Sequence, residues 1–127
     1  MPQIVELGAE FHAYSPYREF AFDREASAAF IGRLIEHGAV FLSDRGVIGG
    51  VLNPLYFNPS ILMAAELFWW AHKGGTALRE AFEQWARDEG AMGVQFSGLA
   101  DEREATIRKV FARAGYAPTE LGFCKRF

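Results

Sequence analysis

The chain has a single cysteine, few prolines, no excess of positive charge and no apolar run long enough to span a bilayer. Cys124 alone can form neither an internal disulfide nor a cysteine zinc cluster, and no metal is expected. With 13 Lys and Arg against 16 Asp and Glu, the formal charge is −3. That balance lacks the broad positive field that non-specific nucleic-acid binding requires. Met1-Pro2-Gln3 does not open like a signal peptide, so neither a membrane nor a secretory route is expected, and the location expected is cytoplasmic. There is no internal repeat and no low-complexity tract. What remains is a chain of 127 residues, half of them hydrophobic and 12 of them Phe, which suits one domain over residues 1–127 with a single core.

Patterning along the chain predicts the order β, α, α, β, β, β, α, β, α, β. Gln3 to Leu7 reads as a short strand, and Glu10 to Tyr17 as a weak helix stopped at Pro16. Asp23 suits the N-cap of a helix carrying Ala26, Phe30, Ile31, Leu34 and Ile35, with Gly38 after its end. Val40 to Leu42 and Val47 to Leu52 are strand-like around the tight turn Asp44-Arg45-Gly46. Asn53-Pro54 and Asn58-Pro59 punctuate a loop with room for a little extended structure at Leu55 to Phe57. Ile61 to Ala71 is apolar on both alternating faces except at Glu66, the pattern of a covered central strand. Thr76 to Glu89 predicts a helix with Leu78, Ala81, Phe82, Trp85 and Ala86 inward and Arg79, Glu80, Glu83, Arg87 and Asp88 in solvent. Met92 to Phe96 reads as a strand, Asp101 with Glu104 as a capping box for a last helix closed by Gly115, and Thr119 to Arg126 as a final strand. The fold class is α/β (α+β), a mixed, mostly antiparallel sheet with helices on both faces.

Glu66 to Leu78 is the most informative stretch. An apolar strand runs into His72-Lys73-Gly74-Gly75, which opens directly into a helix. The first N–H groups of such a helix have no intrahelical partner, and with the helix dipole they favour an anion, most often phosphate. A tight strand-to-helix turn without any ligand has the same composition. Within the strand, burial is expected to raise the pKa of Glu66 toward that of a useful base, although a structural pairing would also account for a lone acid.

These segments resemble the GNAT superfamily of acetyl-CoA-dependent N-acetyltransferases, small bacterial and phage-borne members in particular. The residues concerned are Ala65-Glu66-Leu67-Phe68-Trp69-Trp70, Gly75 through Ala86 to Gly90-Ala91, Val110-Phe111-Ala112-Arg113-Ala114-Gly115-Tyr116-Ala117-Pro118, and the hairpin Arg45-Gly46-Val47-Ile48-Gly49-Gly50. The resemblance implies acetyl-CoA as cosubstrate and an amine, of a small molecule or a protein, as acceptor. It implies a bulged central strand whose backbone, Phe68, Trp69, Trp70 and Ala71, meets the pantetheine arm. The pyrophosphate is then expected on His72, Lys73, Gly74, Gly75, Thr76 and Ala77, and the catalytic base at Glu66.

Two departures accompany the resemblance. In the phosphate loop, Trp70 takes the usual Gln or Arg position and Lys73 replaces the first glycine. On the last helix Phe111, counted here among the cofactor-contacting residues, stands where the family's general-acid tyrosine usually does, while Tyr116 is expected to pack. Direct acetyl transfer is the expected activity. A catalytically silent GNAT-like binding or assembly module is the alternative. A homodimer through the edge of the final strand is a further expectation.

Overall fold

The computed structural model describes residues 2–98 and 103–127, which fall into two compact units, residues 1–97 and 98–127. The first unit holds α1 (Pro2–Tyr14), α2 (Arg24–His37), β1 (Ala39–Ser43), β2 (Gly46–Leu55), β3 (Asn58–Ala71), α3 (Gly75–Asp88) and β4 (Val94–Gln95). Its four strands lie in the order β1-β2-β3-β4, antiparallel except for the parallel pair β3–β4. A mixed sheet between helices is therefore the architecture, as the patterning predicts.

Helices cover both faces of this sheet, and the split is visible at consecutive residues of β2. Val47 packs with Ile4, Leu7 and Ile31 from α1 and α2, together with Val40, Phe68 and Trp70. Ile48 packs with Ala64 and with Leu78, Phe82 and Ala86 of α3. Phe82 and Ile48 are fully buried, so α3 is seated over the middle of the sheet. At about 25 cal/mol per Å², these large apolar side chains contribute roughly 1.5–3 kcal/mol each to folding.

The alternation changes parity once, at a bulge in β3. Gly50 is opposite Glu66 and Gly49 is opposite Phe68, which leaves Leu67 as the extra residue. Ala64 belongs to the α3 face. Without the bulge Phe68 would share that face, yet it packs with α1 and α2. Beyond it Trp69 packs on the α3 side and Trp70 on the α1 side. The Gly49-Gly50 pair is required here because rings close on it from both sides. A Cβ on Gly49 would lie 2.9 Å from Phe68 Cε2 and 3.0 Å from Leu34 Cδ2, and one on Gly50 would lie 2.6 Å from Phe82 Cζ and against the Ala65 carbonyl.

Several expectations are corrected. Gln3–Leu7 is not a strand, and α1 runs unbroken from Pro2 to Tyr14. Ile4, Leu7 and Phe11 are helically spaced, and the adjacent apolar pair Ile4-Val5 masks that period. Ser15, buried just past the end of α1, donates to the His12 carbonyl (2.9 Å) and accepts from the Tyr17 N–H (3.1 Å). Residues 53–60 are not a loop, since β2 and β3 continue as a two-stranded ribbon around Tyr56-Phe57. Prolines 54 and 59 are tolerated where a strand lacks a neighbour on one side. Arg79 is buried rather than solvated, because it shares the helical stripe of Phe82 and Ala86, and Glu83 lies 3.9 Å from its guanidinium. Asp23 does cap α2, accepting from the Ala26 N–H at 2.9 Å.

The second unit contains α4 (Glu104–Arg113), with Arg108 paired to Glu104 at 3.1 Å and Gly115 in the left-handed region at φ 88°. Asp101, expected to cap this helix, lies outside the described residues. Thr119–Arg126 is not a strand. Leu121 and Phe123 alternate, but both are exposed and the segment belongs to none of the paired strands. A strand exists only through its partner's hydrogen bonds, which alternation alone does not supply. The edge on which the expected dimer rested is therefore not present in that segment.

Gly50→Ala is expected to destabilise the protein by about 1–3 kcal/mol, because the Phe82 ring and the Ala65 carbonyl must both move. Urea unfolding checks this, and a loss below about 0.5 kcal/mol would show that the close packing described is wrong.

Candidate functional site

The site is built around the second half of β3. Pairing with β4 runs through Ala64↔Val94 and Ala65↔Gln95, and the bulge at Leu67 follows within two residues. Glu66 lies between these features, half-buried, opposite Gly50 on β2. Its carboxylate accepts a hydrogen bond from the backbone N–H of Ser97, just past the end of β4. Burial pushes the Glu66 pKa up from 4.5 to about 7, and the Ser97 bond only partly offsets this. The isolated acid in the apolar run thus titrates near neutrality, as its setting in the sequence suggests.

Trp69, on the α3 side, meets Phe96 edge-on with ring centroids 5.5 Å apart, and Phe96 in turn meets Phe82 at 5.7 Å. Trp70, on the other side, lies 5.4 Å from Phe11 and stacks with Tyr14 at 5.8 Å. Both indoles are packing groups, one for each face of the strand. Ala71 is paired with Gly46.

The chain leaves β3 through His72, Lys73 and Gly74 and enters α3 at Gly75. Gly74 occupies the N-cap with φ 76°, ψ 21°, a left-handed conformation that glycine adopts without a Cβ penalty. No side chain caps this helix end. The leading N–H groups of α3 therefore lack the partner that a Ser, Thr or Asp cap would supply. Lys73, Gly74, Thr76 and Ala77 are exposed, which leaves this helix end open to an anion.

His72 is not aimed freely into this turn. Its backbone N–H donates to the Arg45 carbonyl at 2.8 Å, its ring meets Trp70 edge-on, and its Nε2 lies against the Glu10 carboxylate of α1. Glu10 is a residue that sequence reading missed. Gln3, two helical turns earlier, donates to the carbonyls of Ser43 and Asp44. Their spacing of seven places both on one face of α1, a signal legible only once the segment is read as helix. Ser97 carries no sequence signal, since it acts through its backbone. Phe111 lies in the second unit, on α4, and packs edge-on against Tyr116 with centroids 5.1 Å apart. Tyr116 thus packs against Phe111, which has no proton to donate.

Among the described residues, no group of His, Cys, Asp and Glu could hold a metal ion, and no helix is long and apolar enough to cross a membrane. No protein-family model matches the sequence, and no curated protein matches it either. Solved structures do match. A protein from Agrobacterium tumefaciens named as a candidate acetyltransferase superposes with a TM-score of 0.72 at 14% identity, over 99% of this chain and 92% of that one. An aminoglycoside acetyltransferase from an uncultured soil metagenomic sample gives 0.69 at 14% identity, over 99% and 91%. The enzyme AAC(6')-Iy, solved in complex with a bisubstrate analogue of CoA and acetylneamine, gives 0.69 at 17% identity, over 98% and 92%. The chain has the fold of the GNAT acetyltransferases.

The Glu66 shift has a consequence for stability. Between pH 4.5 and about 7 the folded state holds a proton that the unfolded state has released, so stability falls as pH rises through this window. Glu66→Gln removes the buried charge. The variant is expected to be more stable than the parent at pH 8 by about 1–3 kcal/mol, a difference that closes near pH 4. Denaturant unfolding at the two pH values measures it, and a pH-independent difference would contradict the burial of the carboxyl.

Proposed function

We propose that this protein is an acetyl-CoA-dependent N-acetyltransferase that passes an acetyl group directly to an amine of a small molecule or protein. The observation that carries the reading is β3 itself. On one strand it joins a half-buried carboxyl titrating near 7, a bulge one residue later and an uncapped helix N-terminus after its end. The GNAT fold and the CoA-bound structures of AAC(6')-Iy support the choice of cosubstrate.

In this reading the open N–H groups of Gly75, Thr76 and Ala77, with Lys73, hold the diphosphate of CoA. The backbone of Phe68 to Ala71 aligns the pantetheine arm. The bound cosubstrate supplies an activated acetyl thioester. Glu66 takes the proton from the acceptor ammonium, so that the amine nitrogen can bond to the acetyl carbon as the carbon–sulfur bond breaks. A pKa of about 7 leaves roughly half of this carboxyl ionised at neutral pH, which suits a base. Phe111, which the resemblance puts at the general-acid position, has no proton to give, so the second proton that the nitrogen sheds on forming the amide passes through water to the departing thiolate. The missing acid slows the reaction without preventing it, since such groups contribute about 10²–10⁴-fold. Phe111 is also the observation that favours a catalytically silent module, and turnover separates the two readings.

Calorimetric titration with CoA and acetyl-CoA is expected to give micromolar binding that is lost in Gly75→Glu, which puts a carboxylate at the phosphate position. Unchanged affinity in that variant would sink the assignment. In an amine panel, kcat/KM is expected to rise with pH through about 7, and Glu66→Gln is expected to lose both this limb and about 10²-fold in rate. Binding without turnover on any amine would select the silent module.

A further inference from the structure

We propose that the acceptor is a monoamine whose nitrogen is borne on an apolar carbon chain, and that Leu67 is the residue that selects it. The inference rests on the transfer reading above and deepens it by naming a substrate class and the side chain that sets it.

Leu67 lacks the packing role of its neighbours on β3. Ala64 and Trp69 belong to the α3 core, Phe68 and Trp70 to the α1–α2 core, and Leu67 to neither. It is the extra residue of the bulge, so no residue of β2 is paired with it. Its side chain is 47% exposed, at a position where a polar residue would meet water at less cost. In the chain it stands between Glu66, the base, and Phe68, where the backbone that aligns the pantetheine arm begins. Consecutive Cα atoms are only about 3.8 Å apart. An acceptor nitrogen that reaches both the carboxyl and the thioester therefore brings its own carbon chain past this leucine. Covering the exposed part of Leu67 with hydrocarbon favours binding, whereas covering it with a second ammonium group does not.

The charge pattern gives the other half of the class. Across residues 46–71, which span β2, its turn and β3, Glu66 is the only charged residue, and residues 91–98 around β4 carry no charge. Glu6 and Glu10 of α1 are engaged by Arg24 and His72, and Glu80 and Glu83 of α3 flank Arg79. Glu66 takes the proton of the reacting ammonium and so offers no lasting counter-charge to another. A polyamine would set its further ammonium groups against uncharged strands, at a desolvation cost that a monoamine does not incur.

The test measures kcat/KM with acetyl-CoA for ethylamine, pentylamine and spermidine, on the parent protein, Leu67→Ala and Leu67→Met. CoA affinity is followed by calorimetry in all three. The parent is expected to prefer pentylamine to ethylamine by about tenfold or more, since each covered methylene is worth up to about fourfold, and to use spermidine less well than pentylamine. Leu67→Ala is expected to reduce the pentylamine preference about three- to tenfold, mainly through KM, whereas Leu67→Met, of similar volume, retains it. CoA affinity is expected to stay within about twofold in both variants, because the phosphates and the pantetheine arm are held by other residues. An unchanged preference in Leu67→Ala, an equal loss for every amine, or a parent that favours spermidine would overturn the inference and leave acetyl transfer itself intact. A parent that binds CoA but acetylates none of the three amines fails the transfer reading, and this inference falls with it.

Discussion

One extra residue in β3, Leu67, is the constraint on which the rest of the site depends. It shifts the register against β2 between Gly49 and Gly50, so Phe68 faces α1 and α2 instead of α3. Trp69 and Trp70 then divide between the two cores, and the strand end reaches the α3 turn in the right phase. The bulge is accommodated only because Gly49 and Gly50 have no side chains where the Phe68 and Phe82 rings close in. A packing device in the core and the geometry of the candidate site are therefore the same feature. Bulges bend a strand and interrupt its pairing, which is why they recur where a sheet must admit a ligand.

The carboxyl next to that bulge works against folding. Glu66 is enclosed by apolar surroundings with one backbone N–H from Ser97 as compensation, and its charged form is correspondingly disfavoured. A glutamine or an aliphatic residue would fit the strand better. A carboxyl that reduces stability yet titrates near neutrality is what the proposed base requires. The inward Arg79 of α3 is a different case, since Glu80 and Glu83 lie within 4 Å of it on its own helix and provide a structural account.

Just past the end of β3, α1 organises the surroundings of the β3–α3 turn. Gln3 holds the β1–β2 turn and Glu10 holds His72, so one helix face fixes both connections that border the start of α3. These bonds are partly exposed and individually modest. Their effect is positional: they fix the β1–β2 turn and engage the His72 imidazole.

Much of this was legible in the residue order alone. Asp23 as a cap, the Asp44-Arg45 turn, the covered strand with its single acid, and the glycine turn opening an amphipathic helix all follow from local rules that act within a few residues. The position of Glu66 in that strand was enough to anticipate a raised pKa, because its neighbours in sequence are also its neighbours in space. The helical identity of residues 3–7, the full ribbon at 53–60 and the absence of a strand at 119–126 were not legible. Each depends on which surface the segment meets, and the same apolar residues satisfy either period. The bulge, the Ser97 bond to Glu66 and the Glu10–His72 pair were decided by the tertiary structure, because each joins residues distant in sequence whose contact no spacing encodes.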